Sequence, residues 1–370
     1  MKRLLAVILG ALALAVPAGA APRPDARAWL VENAATGEIV TSHAARERLP
    51  IASITKLMTV LVTLEHAQLD DVVTVSESTS EVGESTIDLR PGERLTVRDL
   101  VEAALIQSAN DAATALAEYV GGGNVERFVG LMNAKARGLG LTDTHFVNPS
   151  GLDAPGHYSS ARDVTKLARI AMRKPVVRRT VRLATATAAG RTLHTWDDLL
   201  GHFPGLIGVK TGHTDEAGWS QVAAVRGPGL TIYATILGSP TRERRNADLA
   251  KLLSWGLSRY RVVDAIDAGR VYATATAGWG RAPVRLVAER PLRRSVHVGR
   301  PLVERVVAPA VVSLPVRKGQ RLGSVRVFLR GRLLGERPLV AADSRTAPGL
   351  GGKIRWYVTR TLHNALGVFS

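Results

Sequence analysis

The chain from residue 49 to residue 59 reads Leu49-Pro50-Ile51-Ala52-Ser53-Ile54-Thr55-Lys56-Leu57-Met58-Thr59. Apolar residues continue at helical spacing, which predicts a helix from Ser53 to Leu64 with Lys56 one turn from Ser53. A serine hydroxyl is a poor nucleophile until a nearby base removes its proton. Lysine can be that base where burial or a neighbouring cation lowers its pKa. The Ser-x-x-Lys pattern also fits a surface serine that caps a helix, so the motif alone is weak.

A second polar motif, Ser108-Ala109-Asn110, lies between two predicted helices, Val97 to Leu105 and Asp111 to Tyr119. The Ser108 hydroxyl can relay a proton between a nucleophile and a leaving group. The Asn110 amide can donate to a substrate carbonyl and accept from a lysine ammonium. Serine and asparagine are also common at helix N-caps, and for this motif taken alone a cap is favoured.

A third motif, Lys210-Thr211-Gly212-His213, follows Val209 at the predicted end of an apolar strand. Lys210 can hold an anionic end of a substrate and lower the pKa of Lys56. Thr211 can bind a carboxylate, and Gly212 would let a substrate backbone approach the strand edge. A simple turn is the alternative explanation.

The elements around these motifs predict a mixed first domain. A hairpin is expected from Ala28–Val31 and Glu38–Thr41, and a buried strand from Leu230–Leu237. Helices are expected over residues 125–137, 161–173 and 242–257. Strands at both ends of a helical region indicate an α+β or α/β fold.

Basic residues are concentrated near the end of the 370-residue chain, whose formal charge is +17. Residues 259–360 hold 21 Arg or Lys against 6 Asp or Glu, whereas residues 21–258 are balanced. This shift predicts a first domain at 21–258 and a second at 259–345. We expect the second to be a small all-β domain that binds an anionic envelope surface, unless the arginines reflect only a compositional bias. Its predicted strands are Val271–Thr276, Val284–Val287, Val296–Val298 and Val325–Leu329.

The two termini indicate export and membrane association. A basic start, a short apolar run and Ala18-Gly19-Ala20 predict a signal peptide over residues 1–20, with an uncleaved anchor as the alternative. Residues 346–370 read as a linker followed by a basic amphipathic helix that suits a membrane interface or packs on its own domain. We therefore expect an extracytoplasmic protein, peripheral on the outer face of the cytoplasmic membrane.

Several chemistries are excluded or disfavoured by composition. The chain has no cysteine, which removes disulfides, thiolate nucleophiles and cysteine-based zinc sites. No His-Glu-x-x-His motif is present, and we expect no metal and no cofactor. Export and the small aromatic fraction argue against a nucleic-acid partner.

Taken together, Ser-x-x-Lys, Ser-x-Asn and Lys-Thr-Gly in this order are the signature of penicillin-interacting serine acyl enzymes. The chain resembles the low-molecular-mass penicillin-binding proteins that act as serine-type D-alanyl-D-alanine carboxypeptidases. The likeness extends to Phe128–Asn133, Leu139–Leu141, Thr144–Phe146, Gly151–Asp153, His157–Asp163 and Leu252–Gly256.

The resemblance implies an α+β β-lactamase/transpeptidase-like catalytic domain, a small all-β domain and a C-terminal amphipathic helix. It implies that Ser53 forms the acyl-enzyme and Lys56 is the base, with Ser108, Asn110 and Lys210 completing the site. The backbone N–H groups of Ser53 and His213 would form the oxyanion hole. Thr211 and Arg245 would bind the substrate carboxylate beside Gly212, although Arg242 and Arg244 crowd the position of Arg245.

The implied substrate is the peptidoglycan stem pentapeptide, whose terminal D-alanine would be released, with β-lactams as inhibitors. A β-lactamase, a DD-endopeptidase and a non-catalytic peptidoglycan- or β-lactam-binding protein remain alternatives. One stretch departs from the family: members often carry Asn-x-Asn where this chain has Thr195-Trp196-Asp197. This departure leaves the shape of that wall of the site open.

Overall fold

A computed structural model describes residues 11–12 and 20–366, which belong to two compact units. The larger unit is Gly19–Ser258. The other, here called the basic unit, is Arg259–Ser370 with Met1–Ala18. Residues 11–12 form the short strand β1 (Ala11–Leu12). The rest of the predicted signal peptide, apart from Ala20, lies outside the described residues, so that signal stays a prediction. In the described part, no helix is both long and apolar enough to cross a membrane.

Strands of the larger unit form one main sheet and two separate two-stranded sheets. They are β2 (Ala28–Asn33), β3 (Glu38–His43), β4 (Val72–Thr74), β5 (Arg94–Thr96), β6 (Thr185–Ala188), β7 (Arg191–His194), β8 (Leu206–Thr214), β9 (Gly218–Gly227) and β10 (Leu230–Ser239). The main sheet is antiparallel in the order β3-β2-β10-β9-β8, so β8 is an edge strand.

Helices flank this sheet. They are α1 (Lys56–His66), α2 (Glu77–Ser80), α3 (Val97–Leu105), α4 (Asn110–Gly121), α5 (Val125–Gly138), α6 (Ala161–Ala171), α7 (Pro175–Thr180) and α8 (Arg242–Ser258), with a 3₁₀ turn at Ala52–Thr55. Ile232 of β10 faces Gly256 of α8, whereas the next residue, Tyr233, joins the core that includes α1, α4 and α6. Because neighbouring strand residues point to opposite faces, helices cover both sides of the sheet.

The basic unit has its own apolar core between β-strands. Its strands are β11 (Tyr260–Ile266), β12 (Val271–Ala277), β13 (Val284–Ala288), β14 (Leu292–His297), β15 (Leu302–Val307), β16 (Val311–Val312), β17 (Arg321–Leu329) and β18 (Arg332–Ala341). One sheet has the order β1-β15-β17-β18-β13-β12-β16, and β11 pairs with β14. The last element is helix α9 (Leu350–Leu366).

Most of the predicted elements are confirmed, and the differences have local causes. The strand predicted at Val296–Val298 begins earlier and ends at His297, because its alternation starts at Leu292 within an arginine-rich stretch. The predicted linker is shorter than residues 346–352, since Gly351 and Gly352 lie inside α9. The apolar position Phe369 of the predicted tail helix lies outside the described residues.

Candidate active site

Ser53 and Lys56 meet where the 3₁₀ turn Ala52–Thr55 becomes α1. The predicted helix therefore begins with a tighter turn, in which side chains three residues apart eclipse each other. Lys56 Nζ lies 2.8 Å from Ser53 Oγ. Ala52, directly before the serine, has a φ of 48°, a conformation uncommon for residues other than glycine. The backbone at the nucleophile is thus strained, as is typical of functional sites.

The Lys56 amine is fully buried and makes two further hydrogen bonds. Nζ donates to Asn110 Oδ1 at 2.7 Å and to the Ser150 carbonyl oxygen at 2.7 Å. The Asn110 amide is oriented by its own Nδ2 donating to the Gly83 carbonyl at 3.1 Å. Burial, reinforced by the charge of Lys210, lowers the pKa of Lys56 well below its ordinary value, with Glu84 and Asp111 opposing. A neutral amine has two N–H groups and one lone pair. If the neutral amine donates both N–H groups to Asn110 Oδ1 and the Ser150 carbonyl, its lone pair is directed at the Ser53 hydroxyl.

Ser108 and Asn110 lie where α3 gives way to α4, as the sequence predicts. Ser108 is buried and has a φ of 65°, a second strained residue at the site. Its Oγ accepts a hydrogen bond of 2.8 Å from Lys210 Nζ. The two Ser-Lys pairs therefore face one another, with Asn110 holding the first amine and Ser108 bonded to the second.

The third motif lies inside β8, not at the end of a strand or in a turn. Lys210 is fully buried, and its Nζ also donates to the Thr211 carbonyl at 3.0 Å. Burial lowers the pKa of Lys210 to about 7, with Asp197 opposing and Arg245 acting in the same direction. The close approach at Gly212 is to the nucleophile's own backbone: a Cβ there would lie 2.8 Å from the Ile51 carbonyl oxygen and 3.1 Å from Ser53 N.

The loop that contains Ser150 and Gly151 packs against the backbone next to the nucleophile. Gly151 has a φ of 91°, and a Cβ at this position would lie 2.0 Å from the Ala52 carbonyl oxygen. Only glycine fits there, and this contact brings the Ser150 carbonyl to Lys56. The nearby His157 accepts from Val147 N at Nδ1, so its Nε2–H donates to Thr55 Oγ1 at 2.8 Å. Burial lowers the pKa of His157 to about 4, so this histidine is a neutral structural group.

These motifs surround a cleft of about 440 Å³. Six of the predicted site residues line this cleft: Ser53, Ser108, Thr211, Gly212, His213 and Arg245. The other three, Lys56, Asn110 and Lys210, are buried behind Ser53 and Ser108. The other lining residues are Glu84, Ser85, Trp196 and Trp219. Of these, Trp219 could have been predicted from the sequence, because a short turn after His213 places Trp219 opposite His213 on the paired strands β8 and β9. The tight packing of Glu84 and Ser85 against this site has no sequence signal.

Arg245 is buried at the cleft and is held by acidic and amide groups. Its Nε and Nη2 donate to Asn246 Oδ1 at 3.0 and 2.6 Å, and Nη2 lies 3.2 Å from Asp198 Oδ2. Asp198 also pairs with Arg242 and accepts from Asn246. This network fixes the guanidinium without a bidentate carboxylate, which leaves the group suited to an anion. Asp198 is a residue that the motifs did not indicate.

The sequence of this chain matches a known family over more than half of its length. Residues 16–241 match the peptidase S11 family, described as D-alanyl-D-alanine carboxypeptidase. The chain belongs to this family. The resemblance inferred from the three motifs is therefore confirmed, and the family is one of serine hydrolases.

Relatives of this family cover almost the whole chain. The D-alanyl-D-alanine carboxypeptidase DacF of Bacillus subtilis is 31% identical over 375 residues, covering 94% of this chain and 96% of that protein. DacC of Escherichia coli is 31% identical and covers 94% of this chain and 91% of its own.

Two solved structures show the same fold. Penicillin-binding protein 5 of Haemophilus influenzae has a TM-score of 0.66 at 27% identity, covering 89% of this chain and 100% of that chain. The Streptomyces K15 DD-transpeptidase has a TM-score of 0.63 at 32% identity, covering 65% of this chain and 100% of that chain. The predicted fold class, a mixed catalytic domain with a β domain and a terminal helix, is confirmed.

Proposed function

We propose that this family member hydrolyses the D-alanyl-D-alanine bond of peptidoglycan stem peptides through an acyl-Ser53 intermediate. The observation that carries the proposal is the buried Lys56 amine, whose Nζ lies 2.8 Å from Ser53 Oγ and is also hydrogen-bonded to Asn110 Oδ1 and the Ser150 carbonyl. In the neutral amine these two acceptors take both N–H groups, so the lone pair is directed at Ser53 Oγ. This arrangement is what activation of a serine by a lysine base requires.

Acylation would proceed in two steps, attack by Ser53 and departure of the terminal D-alanine. Lys56 takes the Ser53 proton as Oγ bonds to the penultimate D-alanine carbonyl carbon, and the oxyanion is held by the N–H groups of Ser53 and His213. The carbon–nitrogen bond then breaks, and the Lys56 proton passes through the Ser108 hydroxyl to the departing amine. The charge of Lys210 beside Ser108 supports this transfer.

Substrate position would be set by the other end of the cleft. Thr211 and Arg245 hold the terminal carboxylate, because a buried guanidinium and a hydroxyl are strong donors to an anion. The β8 edge is free of a neighbouring strand in the main sheet and can pair with the substrate backbone. Water then attacks the acyl-enzyme, with Lys56 again the base, and the shortened peptide leaves.

The direct test is D-alanine release from a stem pentapeptide, with and without benzylpenicillin. Release that penicillin blocks supports the proposal. Release only from crosslinked dimers would favour the endopeptidase, and rapid turnover of penicillin would favour the β-lactamase. Neither release nor penicillin labelling would leave the non-catalytic binding protein.

The pH profile of kcat/KM should be bell-shaped. Lys56 must be neutral, and its pKa is lowered, so activity rises as pH rises through that value. Lys210 must be charged, so activity falls as pH rises through its pKa, about 7 in the free enzyme. Because Asp197 raises the Lys210 pKa, Asp197→Asn should move the alkaline limb to lower pH. An alkaline limb that does not move in Asp197→Asn would contradict the assignment.

We also propose export and peripheral attachment to an anionic membrane surface. Leu350, Ile354 and Val358 recur every four residues on α9 and are 79%, 57% and 53% exposed. Such an apolar stripe flanked by Lys353 and Arg355 suits a membrane interface. The 6 acidic residues at 259–360 neutralise only a fraction of the 21 basic ones, so the basic unit adds electrostatic attraction.

Vesicle binding should therefore depend on charge and salt. The full chain should sediment with phosphatidylglycerol vesicles at low salt and be released as salt rises. Replacing both Lys353 and Arg355 by glutamate should weaken binding by about 10-fold or more. Arg226→Glu combined with Arg179→Glu, two exposed reversals in the larger unit, is the matched control and should change little. Binding that salt and the double reversal leave unchanged would refute the membrane proposal.

A further inference from the structure

Two tryptophans, Trp196 and Trp219, form one wall of the cleft and are here called the aromatic wall. Trp219 lies against His213, with ring centroids 3.9 Å apart and ring planes tilted by 31°. The Arg242 guanidinium lies 5.4 Å from the Trp196 ring centroid and 5.9 Å from that of Trp219. The Arg242 guanidinium thus contacts both rings, which together form one continuous aromatic surface.

This wall is held in place, although Trp196 is 44% exposed. Its Nε1 donates to the Gln107 carbonyl at 3.0 Å, one residue before Ser108. The Gln107 side chain in turn accepts from His194 N at 2.9 Å. Asp198 fixes Arg242 from the other side. A large aromatic face that is both exposed and immobilised inside a cleft is a surface suited to a ligand.

The part of the substrate that reaches this wall follows from the carboxylate site. Arg245 packs on the Trp219 ring, with its Cζ 5.6 Å from the centroid. If Arg245 and Thr211 hold the terminal carboxylate, the terminal residue lies between them and the two serines. Of the remaining lining residues, Glu84 and Ser85 are polar, so the aromatic wall supplies the apolar contact for that residue's side chain.

We propose that the aromatic wall is a subsite for the side chain of the leaving D-residue, and that it accepts apolar groups larger than methyl. The enzyme would release residues such as D-leucine as well as D-alanine. The reaction is the same hydrolysis: the peptide carbon–nitrogen bond breaks, and water supplies hydroxyl to the acyl group and a proton to the amine. The inference rests on the proposed function, because it uses the same carboxylate site.

The test compares stem pentapeptides that end in D-Ala-D-Ala, D-Ala-D-Leu and D-Ala-D-Ser. The wild-type enzyme should cleave the D-leucine peptide with a kcat/KM at least equal to that for D-alanine, and the D-serine peptide less well than the D-leucine peptide. In Trp196→Ala the ratio of kcat/KM for D-leucine to that for D-alanine should fall about 10-fold.

Two further variants control this result. Trp196→Phe keeps an aromatic face and should retain most of the ratio. Trp279→Ala removes a partly exposed tryptophan from the basic unit and should leave the ratio at its wild-type value. A wild-type ratio below one, or a ratio that Trp196→Ala leaves unchanged, would overturn the inference. If the proposed function itself is wrong, the D-alanine peptide is not cleaved at all. If only the subsite inference is wrong, the D-alanine peptide is still cleaved.

Discussion

Ser53→Ala is expected to lower kcat/KM for D-alanine release by about 10⁴-fold or more. The substituted side chain has no oxygen with which to form the acyl bond, and only binding and the oxyanion donors remain to assist water. A loss of this size equals about 5 kcal/mol of transition-state stabilisation. The measurement is D-alanine released from a stem pentapeptide at equal enzyme concentrations.

The matched control is Ser254→Ala, an exposed serine on α8. It should retain wild-type release. Ser53→Ala should keep a normal unfolding temperature, since the described contact of the hydroxyl is the single hydrogen bond with Lys56. Substantial release by a folded Ser53→Ala enzyme would show that another group carries the reaction.

Lys56→Met should lower the rate of Ser53 acylation by about 10³-fold, the contribution of a well-placed general base. Methionine is similar in length, but its thioether is not basic enough to take the serine proton, and it has no N–H for Asn110 Oδ1 or the Ser150 carbonyl. Leaving these buried acceptors unpaired should also destabilise the fold by about 1–3 kcal/mol each. Labelling by a fluorescent penicillin, followed over time, reports the acylation rate.

Lys251→Met, at an exposed position on α8, controls for the loss of a positive charge. Because burial of methionine can alter the fold, the labelling rate is read only on protein with a cooperative unfolding transition. Lys56→Arg tests the role separately: it keeps a donor but cannot be deprotonated, so it should also fail to activate Ser53. Rapid labelling of either folded variant would exclude Lys56 as the base.

The three motifs allowed much of the site to be predicted, because each requirement is local. A serine and a lysine one turn apart need only a helix start, and Ser108 and Asn110 need only a helix boundary. The roles of Asp198 and Gly151 could not be predicted in this way. Asp198 acts on Arg245 across 47 residues, and Gly151 packs on Ala52 through a contact that no periodicity encodes.

The strands of the basic unit were harder to predict than those of the larger unit. In β2 every residue is buried, and the four residues Ala28 to Val31 form a continuous apolar run. In β18 and β11 arginines and other polar residues occupy exposed positions and interrupt the apolar alternation. Both strands also pair with partners distant in the chain, β11 with β14 and β18 with β13. The end of the motif strand was predicted at Val209, but β8 continues to Thr214, because its polar residues 210–214 pair with β9 directly after it.

Trapping the acyl-enzyme tests the central claim most directly. The wild-type protein and Ser53→Ala would be incubated with benzylpenicillin, quenched, digested and mapped by mass spectrometry. We predict one penicilloyl group per wild-type chain, located on Ser53, and none on Ser53→Ala. An adduct on another residue, or an equal adduct on Ser53→Ala, would contradict the assignment of Ser53 as the nucleophile.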